Sequence, residues 1–477
     1  MFICGFLLFS APSRADDTHY QNQLIGERAL GLGGAFTAVA SDPTASFYNP
    51  AGLAMTLSSS ISASLNLYGV EHRIVHGGFV SYIGGERESA DLETTSFPTI
   101  PTTFGILRAF GERLPDGSRR HAIAFSMLIP DQTAISYDAT IGRSGQTDLD
   151  VFRLSESDKT LWVGPSYAIR ITDDLSLGLS AFVAIRTWSR ATFRSMETPS
   201  DPPTEPPTAE FFDLERVDAA FDSYDLIFRL GALYRPLPGV RVGFTIGFPS
   251  IHVYGDGSLS KQLTYARFEP PLEYGDMQLE SASGLSATSF DPLEIRLGLA
   301  WEPAEGMLVA FDASYHLPTF SSYERIELGS DDRARLAFDD LFATEVERRG
   351  VLNANVGFEW VIEGEWPLRL GAFTNFSAAP PLRPYQPGLE RIDIVGGTIS
   401  AGYNFDAFSV NVGFLGSVGW GQAQALNLVG DPTYLERDAR YDLFYFFVSG
   451  AARVVAETLE TLIEAAPEEE GGESGVE

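Results

Sequence analysis

The chain has 477 residues, a net charge of −31, a mean hydropathy close to zero, 46 glycines, 28 prolines and 12% aromatic residues. The acidic balance excludes the basic footprint of a nucleic-acid partner, and no run of 18 apolar residues is present to form a transmembrane helix. Such Gly, Pro and aromatic content suits many strands and turns rather than a helical bundle.

The first stretch, MFICGFLLFSAPSRADD, is a short apolar run ending in Ser13-Arg14-Ala15 and reads as a signal peptide over residues 1–15. Its Cys4 is the only cysteine, so a chain cleaved after Ala15 has neither disulfides nor thiolate metal sites. Residues 16–56 form an irregular, Gly-rich segment that includes GLGGAFTAVASDPTASFYNPAG, Gly31 to Gly52. It is too rich in glycine for a helix and too broken for a strand.

From about residue 57 the dominant period is two. Leu175, Leu177, Leu179, Ala181, Val183 and Ile185 alternate with Ser176, Gly178, Ser180, Phe182, Ala184 and Arg186. Val240, Val242, Phe244, Ile246 and Phe248 alternate with Arg241, Gly243, Thr245 and Gly247, and Leu293 to Trp301 repeats the pattern. The spacing predicts about fourteen strands, at roughly 58–72, 99–110, 119–130, 158–171, 174–192, 220–236, 239–255, 289–303, 306–323, 349–363, 366–378, 391–405, 407–420 and 439–450. Each has the ~9–11 residues that a tilted bilayer crossing needs. Short links with turn chemistry, such as LPDG, TDD, PLPG and PAEG, alternate with long polar ones.

Segregation of loop length by parity is the mark of an outer-membrane barrel with short periplasmic turns and long outer loops. The expected fold is therefore all-β, a transmembrane antiparallel β-barrel over residues 57–450. Trp162, Trp301, Trp360, Tyr403, Phe405, Tyr441 and Tyr445 fall near strand ends, where interface girdles sit. Residues 451–477 change character. Val455, Leu459, Leu462 and Ile463 have helical spacing and a glutamate-rich end follows, so a short helix and an acidic disordered tail are expected.

Chemistry-bearing patterns are sparse. The six histidines form no metal-binding spacing, and GRSGQ and GSVGWG lack the strand-to-helix context of a nucleophile elbow. No metal, cofactor or enzyme activity is expected. The alternation turns Arg186, Arg190, Arg229, Arg241, Glu294, Arg296, Asp312, Glu359 and Arg369 inward. They form either a salt-bridge network across the lumen or a surface that steers a carboxylate-bearing ligand.

The segment ERALGLGGAFTAVASDPTASFYNPAGLAMT, Glu27 to Thr56, resembles the N-terminal signature of the FadL/TodX family of outer-membrane transport proteins. Asn49, Pro50 and Ala51, followed by Gly52, carry the most specific part. Similar stretches include WVGPSYAIRITDDLSLGLSAF and LEIRLGLAWEPAEGMLVAFDASYHLPTF, so the resemblance spans about residues 20 to 450. It implies a fourteen-stranded barrel with the N-terminal segment folded inside as a plug. Gly31, Gly33, Gly34, Asn49, Pro50, Ala51 and Gly52 are its candidate gate residues.

The family's function is passive transport of hydrophobic molecules, long-chain fatty acids first and aromatic hydrocarbons as well, with sideways release beside a kink in the third strand. The expected setting is a monomer in the lipid of the bacterial outer membrane, without a cofactor. Related barrels serve as scaffolds or shuttles in protein export, which is the alternative reading. Two features depart from the family pattern. The third strand, RRHAIAFSMLIP, has no internal glycine and is expected to end at Pro130, and Phe446 and Phe447 are followed by a further segment.

Overall fold

The computed structural model describes residues 18–20, 23–64, 66–83, 86–97, 103–142, 149–199, 210–269, 272–330, 345–382, 390–427 and 436–453. The predicted signal peptide, and the tail beyond residue 453, lie outside them. Fourteen staves form one closed antiparallel barrel. They are β1 (Ser60–Ser64 continuing as Asn66–Ile83), β2 (Glu86–Ser96 and Thr103–Arg113), β3 (Arg119–Gly142), β4 (Leu149–Arg170), β5 (Leu175–Pro199) and β6 (Glu210–Leu237). β7 is Val240–Gly247 with Ile251–Glu269, and β8 is Leu272–Ser286 with Glu294–Trp301. β9 (Met307–His316), β10 (Val351–Ile362), β11 (Trp366–Asn375), β12 (Glu390–Asn404), β13 (Phe408–Gln424) and β14 (Glu436–Arg453) complete the wall. β14 pairs with β13 on one side and with β1 on the other, so the ring closes.

Parity decides which side chains meet lipid. On β5, Leu177, Leu179 and Val183 are exposed, while Ser176, Ser180, Phe182, Ala184 and Arg186 are buried in the lumen. On β8, Ile295, Leu297, Leu299 and Trp301 face out, and Glu294, Arg296 and Ala300 face in. At the short-turn end, Trp366, Tyr403, Phe405 and Phe408 form a chain of rings with centroids 4.6, 4.5 and 4.2 Å apart. Trp301 and Trp360 are also exposed there.

Three features differ from the sequence expectation. Trp162, Tyr441 and Tyr445 point into the lumen and are not girdle residues. Strand-end position suggested otherwise, but they sit on the inward parity of β4 and β14. Several expected loops are strand. The links over 73–98, 131–157, 193–219 and 256–288 are mostly hairpins that run on above the membrane, with pairs as far as Gly142↔Leu149 and Pro199↔Glu210. Their alternation is built from polar residues, which hid it from a reading keyed to apolar faces. Finally, β14 extends to Arg453, so residues 451–453 are strand and not the start of a helix.

The lipid-facing assignment has a measurable consequence. Leu297→Arg, in the apolar band of β8, is expected to cost about 2–4 kcal/mol of folding free energy into bilayers, whereas Ser258→Arg in the upper hairpin costs about 0–1. Reversible denaturant titration in lipid vesicles reads the difference, and equal costs would refute the assigned band.

Candidate functional site: the plugged lumen

The segment from Leu24 to Met55 lies inside the barrel, and most of its residues are buried. It contains two short helical turns, α1 (Glu27–Gly31) and α2 (Ala45–Tyr48), followed by a 3₁₀ turn at Pro50–Met55. Short helices suit a segment with five glycines and no long apolar periodicity. Gly33 and Gly34 have φ of 60° and 83°, a region that L side chains avoid, and these residues turn the chain back between α1 and the next stretch.

Wall glycines receive the plug. A Cβ on Gly178 or Gly231 would collide with Asn49, Pro50 or Ala51; one on Gly243 or Gly298 with Thr37; one on Gly357 or Gly371 with Leu32 or Gly33. In register these six are three facing pairs, Gly178↔Gly231, Gly243↔Gly298 and Gly357↔Gly371. They form a side-chain-free belt around which plug backbone touches wall backbone. Sequence reading placed glycine on the lumen face but did not single these out, because their alignment appears only once register is known.

Asn49 accepts from Ala51 N at 3.2 Å and donates to Thr37 O at 2.9 Å and Ala232 O at 3.0 Å. It therefore ties the plug to itself and to β6. Pro50 begins the 3₁₀ turn, where its missing N–H is no loss. Gly52 packs against Ala40, and Gly31 against Ser400 and Arg369, whose partners lie on β12 and β11. The Asn-Pro-Ala triplet thus seats against β5 and β6. The third strand is met elsewhere, through Ser126 Oγ donating to Pro43 O at 3.1 Å and Gln23 N donating to Pro130 O at 3.2 Å.

The inward charges are grouped. Glu294 takes Arg229 at 2.6 Å and Arg296 at 2.6 Å, with His316 at 3.7 Å. Arg229 also donates to Phe47 O at 2.6 Å and lies 4.4 Å from the Phe47 ring centroid, while Arg296 lies 5.2 Å from that of Tyr48. The Phe-Tyr pair is thereby wedged between two guanidinium groups. Asp312 accepts from Phe36 N at 2.9 Å, Thr37 N at 2.8 Å and Thr37 Oγ1 at 2.6 Å. Glu359 joins Arg28 of the plug at 2.7 Å to Arg369 of the wall at 2.6 Å, and Arg369 donates to Asn411 at 2.6 Å. Arg186 is bound by Asp158 through Nε at 3.0 Å. Buried charges stay charged only when matched in this way.

The third strand does not end at Pro130. β3 runs through it with a register shift: Leu128 pairs with Trp162 and Asp131 with Thr160, so Ile129 and Pro130 share one opposing residue. Proline can occupy this bulge because it has no N–H to contribute to the ladder. Below it, β2 pairs with β3 as far as Phe104↔Met127. Above it, the upper half of β2 pairs with β1, and among the described residues no ladder joins it to β3. Beside this unpaired wall lies an apolar lumen cluster that includes Phe79, Ile135, Tyr137, Phe152, Tyr441 and Tyr445, with Leu30 of the plug against it.

A cavity of about 60 Å³ lies between Phe47, Trp162, Ile227 and Phe248. Four carboxylates (Asp131, Asp225, Asp291, Glu294) and four guanidinium groups (Arg186, Arg229, Arg296, Arg348) line it, so it carries no formal net charge. Near it, Ser223 Oγ donates to Asp225 at 2.9 Å, and His252 Nδ1 lies 2.9 Å from Asp225 and 3.5 Å from Ser223. The same ring nitrogen faces both groups, whereas a nucleophile relay needs the two nitrogens to face different partners. Among the described residues no three His, Cys, Asp or Glu side chains are grouped to hold a metal ion.

No family model and no curated protein matches the chain. Solved structures do. A FadL homologue from Pseudomonas aeruginosa matches with a TM-score of 0.59 at 14% identity, over 91% of this chain and 99% of that chain. The P. putida toluene transporter TodX matches with a TM-score of 0.56 at 12% identity, again over 91% and 99%. The chain has the fold of these FadL-type barrels. In this FadL-type barrel the wall break at Pro130 and the glycine-seated plug occur together, joined by the Gln23–Pro130 bond.

Asp312 offers a test of how the plug is held. Asp312→Ala leaves two buried plug N–H groups without their acceptor, at a local cost of about 1–3 kcal/mol. Amide exchange at Phe36 and Thr37 is expected to accelerate while the barrel strands stay protected. Unchanged protection at both amides would show that the glycine belt alone holds the segment.

Proposed function

We propose that the chain is a passive outer-membrane channel for small hydrophobic molecules, with the N-terminal segment as its movable plug. The observation that carries this reading is the unladdered wall above Pro130, flanked inside by an apolar cluster and tied to the plug. A solute that enters from the hairpin end meets apolar wall beside that break and avoids water throughout. The cavity of about 60 Å³ is far below the ~300–1,000 Å³ of a ligand pocket, so passage requires the plug to move. Gly31, Gly33, Gly34, Asn49, Pro50, Ala51 and Gly52 act in that movement as its hinges and contacts. No energy source is needed, since the ligand moves down its own gradient.

Fatty acids and aromatic hydrocarbons are the candidate cargo. The matched charges of the cavity favour the uncharged hydrocarbon, because a carboxylate arriving there finds its cations already paired. The names of the similar barrels support the hydrophobic class, and the charge balance supports the choice within it.

Uptake of radiolabelled toluene and oleate by cells lacking their own transporters tests the reading. Expression of the chain is expected to raise toluene uptake more than oleate uptake. A larger gain for oleate would reverse the cargo assignment, and no gain for either would remove the transport role. Asn49→Ala combined with Pro50→Ala should change uptake while the barrel keeps its heat-modifiable gel mobility. Unchanged uptake would make the triplet a structural linker only.

A further inference from the structure

The wall has a second interruption, five strands round from the first. On β7, Phe248, Pro249 and Ser250 separate the two strand pieces, and on β8 the seven residues from Ala287 to Leu293 do so. The β7–β8 ladder stops at Gly247↔Glu294 and resumes at Asp256↔Ser286. Both strands therefore lose their mutual pairing at one level.

That level is the outer rim of the apolar band. The lower piece of β8 has eight residues, about 26 Å along the strand and ~20 Å in height at the usual tilt, against a band of ~25 Å. Ile251, Val253 and Tyr254 are exposed beside the break. On the inner face, the cavity next to Phe47 and Trp162 reaches Phe248 and Pro292. The interruption thus separates a lumen cavity from an apolar outer surface.

Polar fasteners close it where a ladder would otherwise run. Ser250 N donates to Asp291 O at 3.0 Å and Asp291 N to Ser250 Oγ at 2.9 Å. Thr288 N donates to Arg325 O at 2.9 Å, and Arg186 to Ser289 Oγ at 3.3 Å. Such bonds satisfy the backbone in the closed state, but they join Ser250, Thr288, Ser289 and Asp291 singly and do not form a continuous ladder.

We propose that the segment Ala287 to Leu293 is a shutter over a second portal, through which an uncharged hydrophobic ligand passes between the lumen cavity and the outer leaflet. This rests on the transport reading above. The portal opens on the charge-matched cavity from the β7–β8 side, and the break at Pro130 borders that cavity as well as the apolar cluster beside β3, so one barrel has two membrane-facing routes.

A cysteine pair tests it, since Cys4 is the only cysteine in the sequence. In a Cys4→Ser parent, Ser250→Cys with Asp291→Cys clamps the shutter under oxidation. Labelled toluene uptake is expected to fall at least about twofold on oxidation and to recover with reductant, while the parent responds to neither. Full uptake by the crosslinked protein would overturn the portal and leave transport standing. A parent without uptake would instead sink the transport reading, and the portal with it. Where the pair does not crosslink, a diazirine-bearing alkane is photolysed with the parent in vesicles. Label on Ser289, Asp291 or Pro292, which line the cavity, is expected, and label confined to the Pro130 side would overturn the proposal.

Discussion

Backbone groups in a bilayer have no water to fall back on, and the rest of this structure follows from that constraint. Each N–H and C=O at membrane depth must find a partner within the chain. Fourteen staves meet the demand by closing into a ring, β14 onto β1. Where the ring does not pair with itself, something else supplies the partners. At Pro130 the residue contributes no N–H and its carbonyl is taken by the plug; at the β7–β8 break, Ser250 and Asp291 bond each other reciprocally. The places where the wall departs from a plain ladder are also the places where cavity or apolar cluster reaches it.

The same demand shapes the interior. A plug inside a barrel brings its own backbone, which needs partners as well. Wall side chains provide them: Asp312 for Phe36 and Thr37, Thr398 for Gly31 O, Asn355 for Gly33 O, Thr245 for Tyr48 O and Ser176 for Ala51 O. The glycine pairs let the chain come close enough for those bonds to form. Paired charges do the rest, with Arg28 and Arg369 sharing Glu359 across the plug–wall boundary. Plug and wall are consequently one polar network enclosed by an apolar shell, the reverse of a water-soluble core.

Much of this was legible in the sequence, because a period of two is a strong signal when one face meets lipid. Arg186, Arg229, Glu294, Arg296, Asp312 and Arg369 share the inward parity of their strands, and all six are buried. Strand length was less legible. Above the membrane both faces of a hairpin are polar, so apolar alternation fades while pairing continues. Trp162 and Tyr445 show the limit of arguing from residue type: an aromatic near a strand end has two faces to choose from, and only its parity settles which. The glycine belt and the bulge at Pro130 depend on which residue stands opposite which, and that information resides in pairing across strands.

The tall hairpins set how far the molecule reaches beyond the membrane. β6 has 28 residues, about 90 Å along the strand, or ~70 Å of height at a tilt near 40°, against an apolar band of ~25 Å. Much of the molecule is therefore a turret standing in the aqueous exterior. Its rim meets dissolved molecules well above the headgroups, before any of them reaches the bilayer. Under the proposed transport role, a sparingly soluble compound is then collected from a layer of medium far deeper than the membrane surface alone samples.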